Sequence, residues 1–207
     1  MELQPIQKTT GQINAEAESF LTAYHPSKSI PIPIEEIIDL KLQMDIIQIP
    51  SLKDAFAEVG LDIDAFISSD FASISVDKFI QEKRNNRYRF SLAHEIGHML
   101  LHGYLYRKFE FKTIDEWTAA IGQMPFQDQE IVEWQADEFA GLVLVPRAVL
   151  KDEFKKALKD TEALLKIPYK NKPELVTDIL VRSLRDKFAV SGYVMKKRFE
   201  RDGLLSK

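Results

Sequence analysis

Five consecutive residues, His94-Glu95-Ile96-Gly97-His98, hold the densest concentration of chemistry in this 207-residue chain. On a helix, histidines four apart lie one turn apart on the same face, close enough for both imidazoles to bind one metal ion. Glu95 falls about 100° around the helix from His94, beside the two ligands and not among them. That is the place for a general base acting on an attacking water. The opposing stripe of Phe90, Ala93, Gly97, Leu100 and Leu101 suits burial, so this helix has a core face and a functional edge. Gly97 costs such a helix about 1 kcal/mol against alanine, which makes sense where something passes close to the backbone.

With no cysteine in the chain, a metal must be held by His, Asp or Glu, and disulfides and a cysteine nucleophile are excluded. A third ligand is expected from the segment Glu133-Trp134-Gln135-Ala136-Asp137-Glu138-Phe139-Ala140. Glu133 and Asp137 are four apart and share a face, while Ala136, Phe139, Ala140 and Val143 form a core stripe. The spacing suits one carboxylate as a ligand and the other as acceptor of a ligating histidine's free ring N–H, which fixes its tautomer. Three protein ligands with one open position define a catalytic zinc site, as opposed to a closed structural one. His102 lies about 12 Å along the axis from His94, too far for both to bind one ion. His25, beside Pro26, has no partner in view. Tyr104, Tyr106 and Arg107 are near the site in sequence, but nothing there identifies a transition-state stabiliser.

The elements that must position these groups read as follows. Residues 12–24 form an amphipathic helix, Pro31 and Pro33 force an extended stretch, and a short helix covers 34–42. Residues 44–49 form a strand ended by Pro50, and 65–68 with 71–76 form a hairpin turning at Ser69-Asp70. The metal helix runs from about Phe90 to Gly103, its expected stop. After an irregular stretch with a short helix near 115–121, a second strong helix covers 128–145, with Asp128 as candidate N-cap and Pro146 closing it. The remainder is helical over 147–159, 173–187 and 191–202. Helices, a small sheet, then helices make an α+β pattern. Strand 71–76 has no evident partner on its later side. Ala72, Ser73, Ile74 and Ser75 are therefore the expected edge on which a substrate segment adds as an extended strand.

The 45% apolar content is enough for a core, and no apolar run approaches the length of a bilayer span. The N-terminus lacks the pattern of a signal peptide, so a cytoplasmic protein without membrane contact is expected. The net charge of −4 is unevenly spread. Residues 113–140 carry seven acidic groups and no Lys or Arg, whereas 182–207 carry eight basic against three acidic groups. These are either solvated faces or an acidic rim around a cation site and a basic tail for an anionic partner; composition decides neither. Segment 185–201 reads as helix, turn, helix with Ser191 as N-cap, either a nucleic-acid contact or an ordinary pair packed on the core.

The run Arg89-Phe90-Ser91-Leu92-Ala93-His94-Glu95-Ile96-Gly97-His98-Met99-Leu100-Leu101-His102 resembles the ImmA/IrrE family of metallopeptidases. So do Glu133, Ala136-Asp137 and Phe139-Ala140, the following Leu144-Val145-Pro146, and, more loosely, Pro31-x-Pro33-Ile34 and Phe188-Ala189-Val190-Ser191. The resemblance implies a single zincin-like α+β domain over 1–207: a small antiparallel or mixed sheet on helices, with a core over about 30–160 and a helical extension over about 161–207. It also implies Zn2+ held by His94, His98 and Glu133, with Glu95 as catalytic base; Mn2+ or another divalent ion would suit the same donors. Members often cleave transcriptional repressors, and some carry a DNA-binding domain. Nothing before residue 30 is long enough for such a domain here, so a regulator would be a separate protein. The expected function is zinc-dependent hydrolysis of a peptide bond in a protein or peptide substrate. The alternative is a metal-dependent regulatory or DNA-binding protein that does not cleave.

Overall fold

The chain begins with α1 (Thr10–Tyr24), whose capping box pairs Thr9 with Gln12 and whose inner face buries Ile13, Ala17, Phe20 and Leu21. This computed structural model describes residues 4–58, 60–108 and 111–205. A short helix α2 (Ile34–Glu36) loosens into a π-turn over Ile37–Lys41 before β1 (Asp45–Ile49). Then come α3 (Leu52–Glu58), β2 (Ala65–Ile67), β3 (Ser73–Asp77) and α4 (Lys78–Lys83). The two long central helices are α5 (Asn85–Tyr106) and α7 (Phe126–Leu144), separated by α6 (Ile114–Ile121). Helices α8 (Arg147–Leu165), α9 (Pro173–Phe188) and α10 (Gly192–Arg201) complete the α+β fold. No helix among the described residues is long and apolar enough to cross a membrane.

The sheet order is β1-β3-β2. β3 runs parallel to β1, with Ser73 opposite Asp45, and antiparallel to β2, with Ser75 opposite Phe66. The expectation that Ala72, Ser73, Ile74 and Ser75 form a free edge is therefore wrong: β3 is the central strand. Parallel pairing needs a long crossover, and residues 50–72 supply it by way of α3 and β2. Ala72 precedes the strand; its carbonyl accepts from Asp45 N at 3.0 Å. Ser75 is buried.

Helix ends also differ from expectation, among them that of α8, which runs to Leu165 and not 159. α5 starts at Asn85, since Tyr88 and Leu92 are already buried, and it continues past Gly103 to Tyr106 because Leu105 and Tyr106 extend the buried face. Gly103 lies against the ring of Phe71, which a Cβ would meet at 3.4 Å. α7 starts at Phe126, which puts Asp128 in the first turn and Pro125 at the cap. Its end does match: Pro146 follows the last turn and caps α8. Ser191 does cap α10, accepting from Val194 N at 3.2 Å.

α5 and α7 pack face to face, and at Gly97 the two backbones come close. A Cβ there would meet Ala136 Cα at 3.1 Å, Ala136 O at 3.2 Å and Phe139 Cδ1 at 3.3 Å. Two of those atoms are backbone and cannot rotate away. Gly97→Ala should gain about 1 kcal/mol of helix propensity but lose about 1–3 kcal/mol to overpacking. The expected result is a lower Tm, lower still for the bulkier Gly97→Val, read by thermal unfolding. A raised Tm in Gly97→Ala would refute the close crossing.

Candidate metal centre

The α5–α7 crossing brings together side chains from two helices. His94 Nε2 and His98 Nε2 lie 2.8 Å apart. Glu133 on α7 reaches both, with Oε2 at 3.1 Å from His94 Nε2 and Oε1 at 3.5 Å from His98 Nε2. A tetrahedral ion bonded at about 2.0–2.1 Å needs donors about 3.3 Å apart, so these three groups have the spacing and chemistry to hold one. On the outer side of His94, Nδ1 lies 3.0 Å from Asp137 Oδ1. His98 instead turns Nδ1 towards His102 Nδ1 at 3.3 Å and stacks on the Tyr106 ring at 5.3 Å.

Glu95 points to the opposite wall. It is buried, and its Oε2 accepts a hydrogen bond from Ile67 N at 2.9 Å. One donor atom from each of His94, Glu95 and His98 fits within 4.8 Å. The main chain of β2 alternates: Asp64 O and Ser68 N bond to β3, so Ala65 and Ile67 direct their groups outward. A cleft of about 290 Å³ opens over the site, walled by residues 62–66, Arg87, Phe90, Tyr106 and Trp117.

The sequence profile of Peptidase_M78, the IrrE N-terminal-like domain, matches residues 79–200. The chain belongs to this family. The match spans α4 to α10 and includes every group at the crossing. No curated protein matches the chain. A solved Mycobacterium tuberculosis transcriptional regulator is similar at 12% identity and a TM-score of 0.47, over 89% of this chain and 45% of that one. This chain thus spans less than half of that protein's length.

The electrostatics of this family member's site follow from burial and neighbours. Burial pushes the Glu95 carboxyl up to about 8, with Glu133 adding to the rise while His94 and the Ile67 N–H oppose it. A divalent cation alongside acts in the same direction as His94. Burial disfavours the charged form of His94, but Asp137 and Glu133 outweigh it and hold that histidine well above the ordinary range. His98 is held well below it by burial, then by His94 and His102. His102 falls to about 3, chiefly through burial and then through His94.

Tyr106 lies on the cleft wall, and burial together with Glu133 and Glu95 keeps its phenol protonated. The other residues near it in sequence lie elsewhere: Tyr104 OH accepts from Ile6 N at 2.6 Å, and Arg107 sits over the Phe71 ring at 5.4 Å. Tyr106 was not separable from them by sequence, since only the extra turn of α5 carries it to the cleft. His25 bonds locally to Ser29 O at 3.0 Å, far from this chemistry. Segment 185–201 packs as a helical pair that buries Phe188, Met195, Arg198 and Phe199.

Proposed function

We propose that this chain is a zinc-dependent endopeptidase. The observation that carries the reading is the convergence of His94, His98 and Glu133 from two helices, with the Glu95 carboxylate beside them under an open cleft. In it, His94, His98 and Glu133 hold the ion, and Asp137 accepts the His94 Nδ1–H to fix the ring. A bound zinc supplies Lewis acidity towards the substrate carbonyl and lowers the pKa of water. Glu95 takes the proton from the attacking water and delivers it to the leaving amine. Tyr106, held as a neutral phenol, is a hydrogen-bond donor on the same wall, suited to the oxygen that gains charge.

Peptide binding falls to β2 in place of β3. Ala65 on β2 turns its main-chain groups towards the cleft, where an extended segment can add main-chain hydrogen bonds, while the Ile67 N–H is already held by Glu95. A separately encoded transcriptional regulator is the substrate class to test first, and a cytoplasmic setting goes with it.

Metal analysis of purified variants tests the ligand set. Glu133→Ala is expected to be nearly metal-free, and Asp137→Ala to bind zinc about 10–100-fold more weakly. If Glu133→Ala kept stoichiometric zinc, the assignment would fail. A zinc-loaded wild type that cleaves no candidate regulator but binds DNA in a salt-sensitive way would replace this reading with the regulatory one.

A further inference from the structure

His98 and His94 differ in what holds their outer nitrogens. His94 Nδ1 faces a carboxylate, whereas His98 Nδ1 faces the Nδ1 of another imidazole, His102, at 3.3 Å. An imidazole that binds a metal through Nε2 carries its proton on Nδ1. At this contact His98 must therefore donate and His102 Nδ1 must accept. A neutral His102 with a bare Nδ1 carries its own proton on Nε2.

That proton needs an acceptor, because His102 is fully buried. His102 Nε2 and Gln135 Oε1 are both buried atoms with no other partner, and the two side chains are close enough for the Gln135 side chain to act on His102 as a hydrogen-bond partner. Each is what the other lacks: a donor and an acceptor. Gln135, also fully buried, is oriented from its far side, where Nε2 donates to the Ile6 carbonyl at 3.2 Å. Ile6 N in turn donates to Tyr104 OH. The N-terminal segment is thus fastened to both α5 and α7.

We propose that His102 is a positioning residue: it fixes the tautomer and ring orientation of His98 through a one-way relay running from His98 to His102, Gln135 and the Ile6 carbonyl. Every proton in the relay points outward from the metal, and Gln135 is the part that sets the direction. Without it, His102 is free to carry its proton on Nδ1, where it meets the His98 proton head-on. The proposal rests on His98 being a metal ligand.

The test is zinc affinity, measured by competition with a chromogenic chelator on full-length protein, with apo-protein unfolding as the control for folding. Removing an outer hydrogen-bond partner of a metal-binding histidine typically costs 10–100-fold in affinity, and His102→Leu is expected to fall in that range. His102→Gln, whose side-chain oxygen can accept from His98, should recover most of it. A role in packing alone predicts the opposite order, since leucine suits a buried site better than glutamine. Gln135→Leu covers the case in which His102→Leu does not fold, and should weaken zinc in the same direction by a smaller factor. His98→Ala separates the two layers: if it keeps zinc, the ligand assignment fails. If it loses zinc while His102→Leu and Gln135→Leu bind like wild type, the relay alone is overturned.

Discussion

Glu95→Gln protein is expected to keep its zinc and lose peptide-bond hydrolysis. The amide has nearly the size of the carboxyl, and its oxygen can still accept from Ile67 N, so the wall between α5 and β2 stays closed. Nor does the change touch His94, His98 or Glu133, which face one another across the crossing. What disappears is a group that can take a proton. General bases contribute about 10²–10⁴-fold, and kcat should fall by at least that range with KM little changed, because Glu95 is not assigned to hold the substrate. Zinc content and single-turnover cleavage, measured on one preparation, decide the matter. Full activity with zinc bound would remove Glu95 from the reaction and leave the peptidase reading without its base.

The parts of this site that depend on local geometry were legible in the residues. Histidines four apart on a helix share a face whatever the rest of the chain does, and the same holds for Glu133 and Asp137. Gly97, an apparent weakness in a helix, signals a close neighbour, and that neighbour is the α7 backbone at Ala136. What could not be read depends on which distant segments meet. β1 and β3 pair across more than twenty intervening residues, so the 71–76 strand looked free on one side although it is central. The edge facing the cleft belongs instead to β2, whose strand and hairpin with β3 are legible at 65–68 although the open edge is not. α3 was invisible because it buries only Leu52 and Phe56 in a polar stretch. Gly103 often ends a helix, yet burial of Leu105 and Tyr106 beyond it overrides that preference, while Asp128 yields the cap of α7 to Pro125. Axial distance alone separates His102 from His94, but only the packed structure shows what His102 faces.

Arg198→Met is expected to be the most destabilising single change outside the site, at about 3–5 kcal/mol. Arg198 belongs to a cluster joining α7, α8 and α10. Its Nη2 donates to Asp202 at 2.6 Å, its Nη1 lies 3.6 Å from Glu138, Arg147 Nε reaches Asp202 at 2.9 Å, and Arg201 also contacts Glu138. The side chains of Arg198, Glu138 and Asp202 are all at most 4% exposed. Methionine keeps most of the aliphatic stem that packs over Gly141, so the loss is one of charge, not of volume. Two carboxylates then remain buried with one arginine fewer between them, and water cannot reach them to compensate. For a chain of this length such a loss corresponds to roughly 6–20 °C in Tm. Removing the carboxylate as well should recover part of it, because a hydrophobic replacement leaves less uncompensated charge: Glu138→Leu/Arg198→Met should lose less than the two single variants summed. Urea unfolding of all four proteins closes this cycle. A loss below about 1 kcal/mol for Arg198→Met would mean that Arg147 and Arg201 already neutralise the cluster, and that the buried Met195 and Phe199 are enough to hold α10 in place.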